Sequence, residues 1–127
     1  MAHITTITGR VSELTVERGL LARGWEVSRP IVDERYDLVV REPGTAPTDL
    51  KRIQIKTIRI REDRKGEYVV YATNGKKEPY TTDDCEYLAG VYGDDFYLVP
   101  CTGLTEYWAD EQKRNAEWRK FSFTDVI

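Results

Sequence analysis

The sequence predicts an α/β fold with a mixed central sheet in one domain spanning residues 1–127. Three observations predict it. Residues 10–24 carry apolar side chains at helical spacing. Two short runs, Tyr36-Asp37-Leu38-Val39-Val40 and Arg52-Ile53-Gln54-Ile55-Lys56-Thr57, read as neighbouring strands around a turn. Further on, residues 86–92 and 95–100 are β-rich apolar runs joined by Gly93-Asp94, a hairpin signal. A helix followed by strands, with chain enough for one core, is an α/β domain.

Thr8-Gly9-Arg10-Val11 opens the first helix, and Gly24 is a natural stop. On a wheel at about 100° per residue, Val11, Leu14, Val16, Leu20 and Leu21 form one broad apolar face, expected to pack on the sheet. Glu13 and Glu17 fall inside that arc. A buried carboxylate requires a partner or a purpose. One reading pairs these acids with a nearby arginine; the other aims Glu13 over the sheet toward Asp37. Residues 25–30 form the first strand, ended by Pro30, and the charged loop Asp33-Glu34-Arg35 leads into the Asp37 strand.

Pro43-Gly44-Thr45-Ala46-Pro47 is a turn cluster. The next strand is expected to continue to Ile60, and Arg59, Arg61, Arg64 and Lys65 to gather with acids in a polar hairpin tip. Residues 67–72 form a fourth strand, and 74–80 a loop with Lys76, Lys77 and Tyr80. Thr81-Thr82-Asp83-Asp84 resembles a cap for a short helical turn. In the tail, Leu104, Tyr107, Trp108 and Trp118 suggest a C-terminal helix, with Phe121 and Phe123 extended behind it.

Composition removes several function classes. No apolar run approaches a membrane span, and Met1-Ala2-His3-Ile4 lacks the basic-then-apolar pattern of a secretory leader, so a cytoplasmic location away from membranes is expected. Cys85 and Cys101 have no metal-type spacing and are expected to stay reduced. The one histidine, His3, expected in a loose terminus, cannot build a histidine-based triad or zinc site. The net charge of −3 excludes a basic nucleic-acid coat but not a nuclease, whose cleft concentrates carboxylates.

The chemistry concentrates in the hairpin. Side chains alternate along a strand, so Ile53 and Ile55 face one way while Gln54 and Lys56 face the other. Pairing across the 42–50 turn brings Asp37 close to Gln54 and Lys56. A carboxylate and an amide oxygen can hold a divalent cation, and an adjacent lysine can orient water and neutralise phosphate charge. That is the minimum apparatus for metal-assisted phosphodiester hydrolysis. A solvated hairpin face gives the same alternation without chemistry. Lys76 and Lys77 are candidate phosphate contacts, with Tyr80 available for stacking or packing.

Gly9-x-x-Ser12-Glu13, Gly24-Trp25-x-Val27, Tyr36-Asp37-Leu38-Val39-Val40 and Ile53-Gln54-Ile55-Lys56-Thr57 together resemble the PD-(D/E)XK nuclease superfamily. The likeness is closest to its small branch of archaeal-type Holliday junction resolvases and intron-encoded homing endonucleases. It is strong over residues 9–57 and weaker to about 100. The resemblance implies a restriction-endonuclease-like core, with about five strands flanked by an N-terminal and a C-terminal helix. It also implies DNA as substrate, branched or duplex, a homodimer, and Mg²⁺ as cofactor with Mn²⁺ able to substitute. Carried across, Glu13, Asp37, Gln54 and Lys56 match the catalytic set, and Asp37, Gln54, the Ile55 carbonyl and Glu13 the metal ligands. Arg10, Lys76, Lys77 and Tyr80 are the expected DNA contacts. Gln54 stands where most members carry Asp or Glu, so this chain would offer the cation one neutral ligand in place of a charged one.

Overall fold

The computed structural model describes residues 3–125. Helix α1 (Ile4–Ala22) begins before Thr8 because His3 caps it: His3 Nδ1 accepts the Thr5 amide at 3.3 Å. The histidine expected in a loose terminus therefore sets where the helix starts. Strands β1 (Glu26–Ser28), β2 (Leu38–Arg41), β3 (Lys51–Thr57), β6 (Tyr87–Tyr92), β7 (Asp95–Pro100) and β9 (Arg119–Phe121) build a six-stranded sheet in the order β1-β2-β3-β6-β7-β9. All its pairs are antiparallel except β3–β6. Strands β4 (Arg59–Arg61), β5 (Glu67–Tyr71) and β8 (Glu106–Ala109) form a separate antiparallel sheet. The α/β architecture with a mixed sheet is as expected, with one strand more and a second layer.

Two segments depart from the sequence reading. The strand expected to run on to Ile60 stops at Thr57. Buried Ile58 turns the chain, donating its amide to the Val91 carbonyl at 2.8 Å, and residues 59–61 join the second sheet. The tail holds less helix than expected. Tyr107 and Trp108 lie in β8, and α2 (Glu111–Glu117) is a short helix capped by Asp110, whose side chain accepts the Lys113 amide at 2.8 Å. Tyr107 is buried and Trp108 partly exposed, a period of two inside what looked like a helical spacing. Residues 81–84 form a turn in which Asp84 accepts the Thr81 amide at 2.8 Å.

The six-stranded sheet buries both faces. On one, Leu38, Val40, Ile53, Ile55, Ala89, Phe96 and Leu98 pack with Val16 and Leu20 of α1. On the other, Leu88, Tyr97 and Val99 pack with Ile58, Val70, Tyr80, Tyr107 and Trp118. Gly19 and Gly90 permit the closest approaches. A Cβ on Gly19 would lie 2.5 Å from the Phe96 ring, and one on Gly90 would lie 2.7 Å from Val70 Cγ2. Cys85 and Cys101 are free and buried, and burial together with the neighbouring thiol pushes Cys85 up to about 12.

The broad apolar face expected on α1 divides in two. Ser12, Val16, Gly19 and Leu20 face the sheet, whereas Val11, Leu14 and Leu21 face solvent. Both stripes are apolar, and a wheel without partners merges them.

Candidate active site

Strand β2 begins at Leu38, opposite Ile53, so β3 runs on past it with one open edge. Asp37 closes the step. Its amide donates to the Ile53 carbonyl at 2.8 Å, and its Oδ2 accepts the Ile55 amide at 2.7 Å. In a strand the N–H and C=O of one residue point to the same side. The Ile55 carbonyl therefore faces the same open edge, beside the Asp37 carboxylate.

Ile53 and Ile55 are buried toward α1, so Gln54 and Lys56 emerge on the opposite face, as the alternation predicted. Lys56 Nζ donates to the Thr73 carbonyl at 3.1 Å and lies 5.1 Å from the centre of the Tyr80 ring. Tyr80, foreseen as stacking or packing, packs: it is buried, with the Arg35 guanidinium 5.0 Å from the same ring. Gln54 is half-buried beside Leu88 of β6.

Glu13 follows the first of the two readings, in which arginines hold it. It takes the Arg10 guanidinium at 3.0 Å and that of Arg29 at 3.8 Å, and its charge is also felt by Asp37. Glu17 is held by Arg29, and more loosely by Arg10 at 3.5 Å. Arg10 is exposed at the rim of this network. Lys76 and Lys77 sit at the exposed tip of a defined turn, where the Asn74 side chain accepts the Lys76 and Glu78 amides at 2.9 and 3.0 Å. The structure thus joins Asp37 to the Ile55 amide at the open end of β3, with Lys56 the next residue on the same strand end. It leaves Glu13 among its arginines on α1 and sets Lys76 and Lys77 at the tip of a loop.

The electrostatics follow from that packing. Burial pushes the Asp37 carboxyl above its ordinary range; the Ile55 amide pulls the other way, Glu13 adds to the rise, and Lys56 and Arg29 oppose it. Burial also draws Lys56 below the usual lysine range, with Asp37 opposing. A carboxyl raised and a lysine lowered at one edge is the perturbation expected where protons and anions are handled.

Among the described residues no three His, Cys, Asp or Glu side chains cluster as a metal site. The donor set is nonetheless all oxygen: one free oxygen of Asp37, the Gln54 amide, the Ile55 carbonyl and the nearby Glu13. Such donors fit Mg²⁺, which keeps several waters and needs few protein ligands.

Sequence reasoning missed the cleft beside this edge. A hollow of about 570 Å³ opens between the start of α1 and the ends of β3 and β5. Lys56, Arg59, Thr5, Thr8, Ser12, Thr57 and Thr73 line it, and no acid does. Ser12 and Thr57 share a hydrogen bond at 2.7 Å that ties α1 to β3. Hydroxyls are dispersed through the sequence, so only the fold reveals their convergence.

Comparison with known proteins bears on the fold and the family. The structure is similar to that of the bacterial homing endonuclease I-Ssp6803I, with a TM-score of 0.64 and 23% identity over 87% of this chain and 78% of that one. No curated protein matches the chain by sequence. A family model described as PD-(D/E)XK endonuclease matches residues 3–120. With nearly the whole described chain covered, this protein belongs to the PD-(D/E)XK endonuclease family.

Proposed function

We propose that this protein is a Mg²⁺-dependent DNA endonuclease selecting its substrate by backbone shape, with branched DNA such as a Holliday junction as the preferred form. The observation that carries the reading is the open edge of β3, where Asp37, the Ile55 carbonyl and Lys56 meet beside an acid-free, hydroxyl-lined cleft. Asp37, Gln54 and the Ile55 carbonyl would hold the cation with help from Glu13, and the ion would supply charge to a phosphate oxygen and acidify its bound water.

The remaining work falls to side chains of this chain. Lys56, anchored on the Thr73 carbonyl, orients water and neutralises charge growing on the phosphate. Its lowered pKa raises the fraction able to accept a proton. The hydroxyls of Thr5 and, with Ser12 donating to it, Thr57 would donate to phosphate oxygens without reading bases, which favours shape over sequence. Arg10, Lys76 and Lys77 extend that backbone contact. Two strands require two such centres, and a homodimer supplies them.

A second reading is site-specific duplex cleavage, favoured by the similarity to a homing endonuclease. An end-labelled four-way junction and its linear arms, incubated with Mg²⁺ or EDTA, test both. Paired symmetric cuts confined to the junction support the first reading. Cuts at one sequence in duplex support the second. If neither DNA is cut, a random duplex library with Mn²⁺ separates an enzyme lacking its site from a module that binds without cutting.

A further inference from the structure

The solvent side of α1 carries Ile4, Ile7, Val11, Leu14 and Leu21, each between 40 and 69% exposed. Their spacing, with Arg18 completing it, is three, four, three, four, three: the seam of a paired helix. The stripe lies opposite Ser12, Val16, Gly19 and Leu20, so it plays no part in the core. It exposes roughly 500 Å² of apolar surface, the size of the largest patch on a typical monomer, which is often functional.

We propose that two copies of this chain pair through this face of α1, antiparallel about a twofold axis. The proposal deepens the endonuclease reading, since it supplies the second catalytic centre. The stripe itself argues for a second copy. In the antiparallel register Val11 faces the partner's Leu14, and Ile4 faces the partner's Leu21. The same register brings the Arg10 and Glu17 flank of each copy alongside the other, twice by symmetry. Arg10 holds Glu13 at 3.0 Å and Arg29 holds Glu17 within each chain, so the two flanks meet as balanced charge networks and not as like charges. Arg18 faces the partner's Ile7, but its guanidinium lies 4.3 Å from the centre of the Phe123 ring, which turns the charge out of the seam. A standard interface buries about 800 Å² per partner. The stripe gives its apolar centre, and the residues flanking it give the polar rim. Duplex DNA fits this face poorly, because an apolar stripe offers few donors to phosphate.

Antiparallel pairing also arranges the sites. It brings the helix flank carrying Arg10, Glu13 and Glu17 beside its own copy, so both Asp37 edges open on one face of the dimer. A parallel pair would set them on opposite faces, where one DNA molecule could not reach both.

Sedimentation of wild type and of the Val11→Glu/Leu14→Glu variant over a concentration series tests the pairing, with circular dichroism confirming that the variant folds. The wild type is expected to be dimeric and the variant to dissociate at least ~100-fold more readily. On DNA, the variant should nick single strands at the wild-type rate but lose paired cuts. Oxidative crosslinking fixes the direction: Ile4→Cys mixed with Leu21→Cys should crosslink, and neither variant alone. A wild type monomeric throughout, or a variant of unchanged mass, overturns the interface; crosslinking of Ile4→Cys to itself overturns the antiparallel arrangement. If no DNA is cut, the random duplex library with Mn²⁺ included, the endonuclease reading fails, while the masses and crosslinks still decide the pairing.

Discussion

Burial makes ionisation of Asp37 unfavourable and raises its pKa, and this gives its replacement an unusual signature. A group whose pKa is raised by folding favours the fold below its ordinary range and loses that contribution as pH rises through the folded value. Ionising Asp37 in the folded protein therefore costs stability. Asp37→Asn keeps an oxygen for the Ile55 amide and removes the charge. It should abolish cleavage while raising Tm at neutral pH, and the gain should vanish in acid; thermal scans from neutral to acid pH check this. Lys56→Ala should lower the cleavage rate at least ~100-fold, the scale of one lost transition-state donor. Gln54→Glu restores a charge to the ligand set. It should tighten cation binding by ~1 kcal/mol or more, read as a lower Mg²⁺ concentration for half-maximal cleavage.

Between elements, two glycines set how closely layers meet. Gly19→Ala would drive a methyl into Phe96 where α1 lies on the sheet, and Gly90→Ala would meet Val70 and Ile58 between the two sheets. Each should cost about 1–3 kcal/mol, measured by urea midpoints. These contacts also explain what the sequence could convey. The Asp37–Lys56 hairpin was legible because alternation and turn residues are local, whereas its register, Ile53 against Leu38, came from the structure. The helix was legible as a helix, but not which of its apolar stripes faced inward, since Val16 and Val11 differ only in what lies beside them. Trp108 and Tyr107 defeated the reading of the tail because β8 is specified by its partner β5, far away in sequence. The cleft hydroxyls escaped for the same reason: Thr5, Thr57 and Thr73 become neighbours only through tertiary packing.

For the whole molecule, a net charge of −3 means that DNA must be held by local fields rather than by overall attraction. Lys76 and Lys77, exposed and without ion pairs among the described residues, lie on a turn apart from the acids of the site. If both contact phosphate, Lys76→Ala/Lys77→Ala should reduce the slope of log affinity against log salt by about 1.8. Binding titrations in Ca²⁺ at several salt concentrations measure that slope, and per-site cleavage at saturating enzyme should be preserved.

The parallel pairing of β3 with β6 bears on the order of assembly. Ile53 meets Tyr87, so the strand carrying Gln54 and Lys56 waits for a neighbour made much later in synthesis. Tyr80 and Thr73, which immobilise the lysine, also lie beyond it in the chain. A nascent chain that has emerged only as far as Thr57 therefore holds Glu13, Asp37, Gln54 and Lys56 with neither the anchor nor the sheet that organises them. The ribosome thus releases every reactive group well before it releases a nuclease.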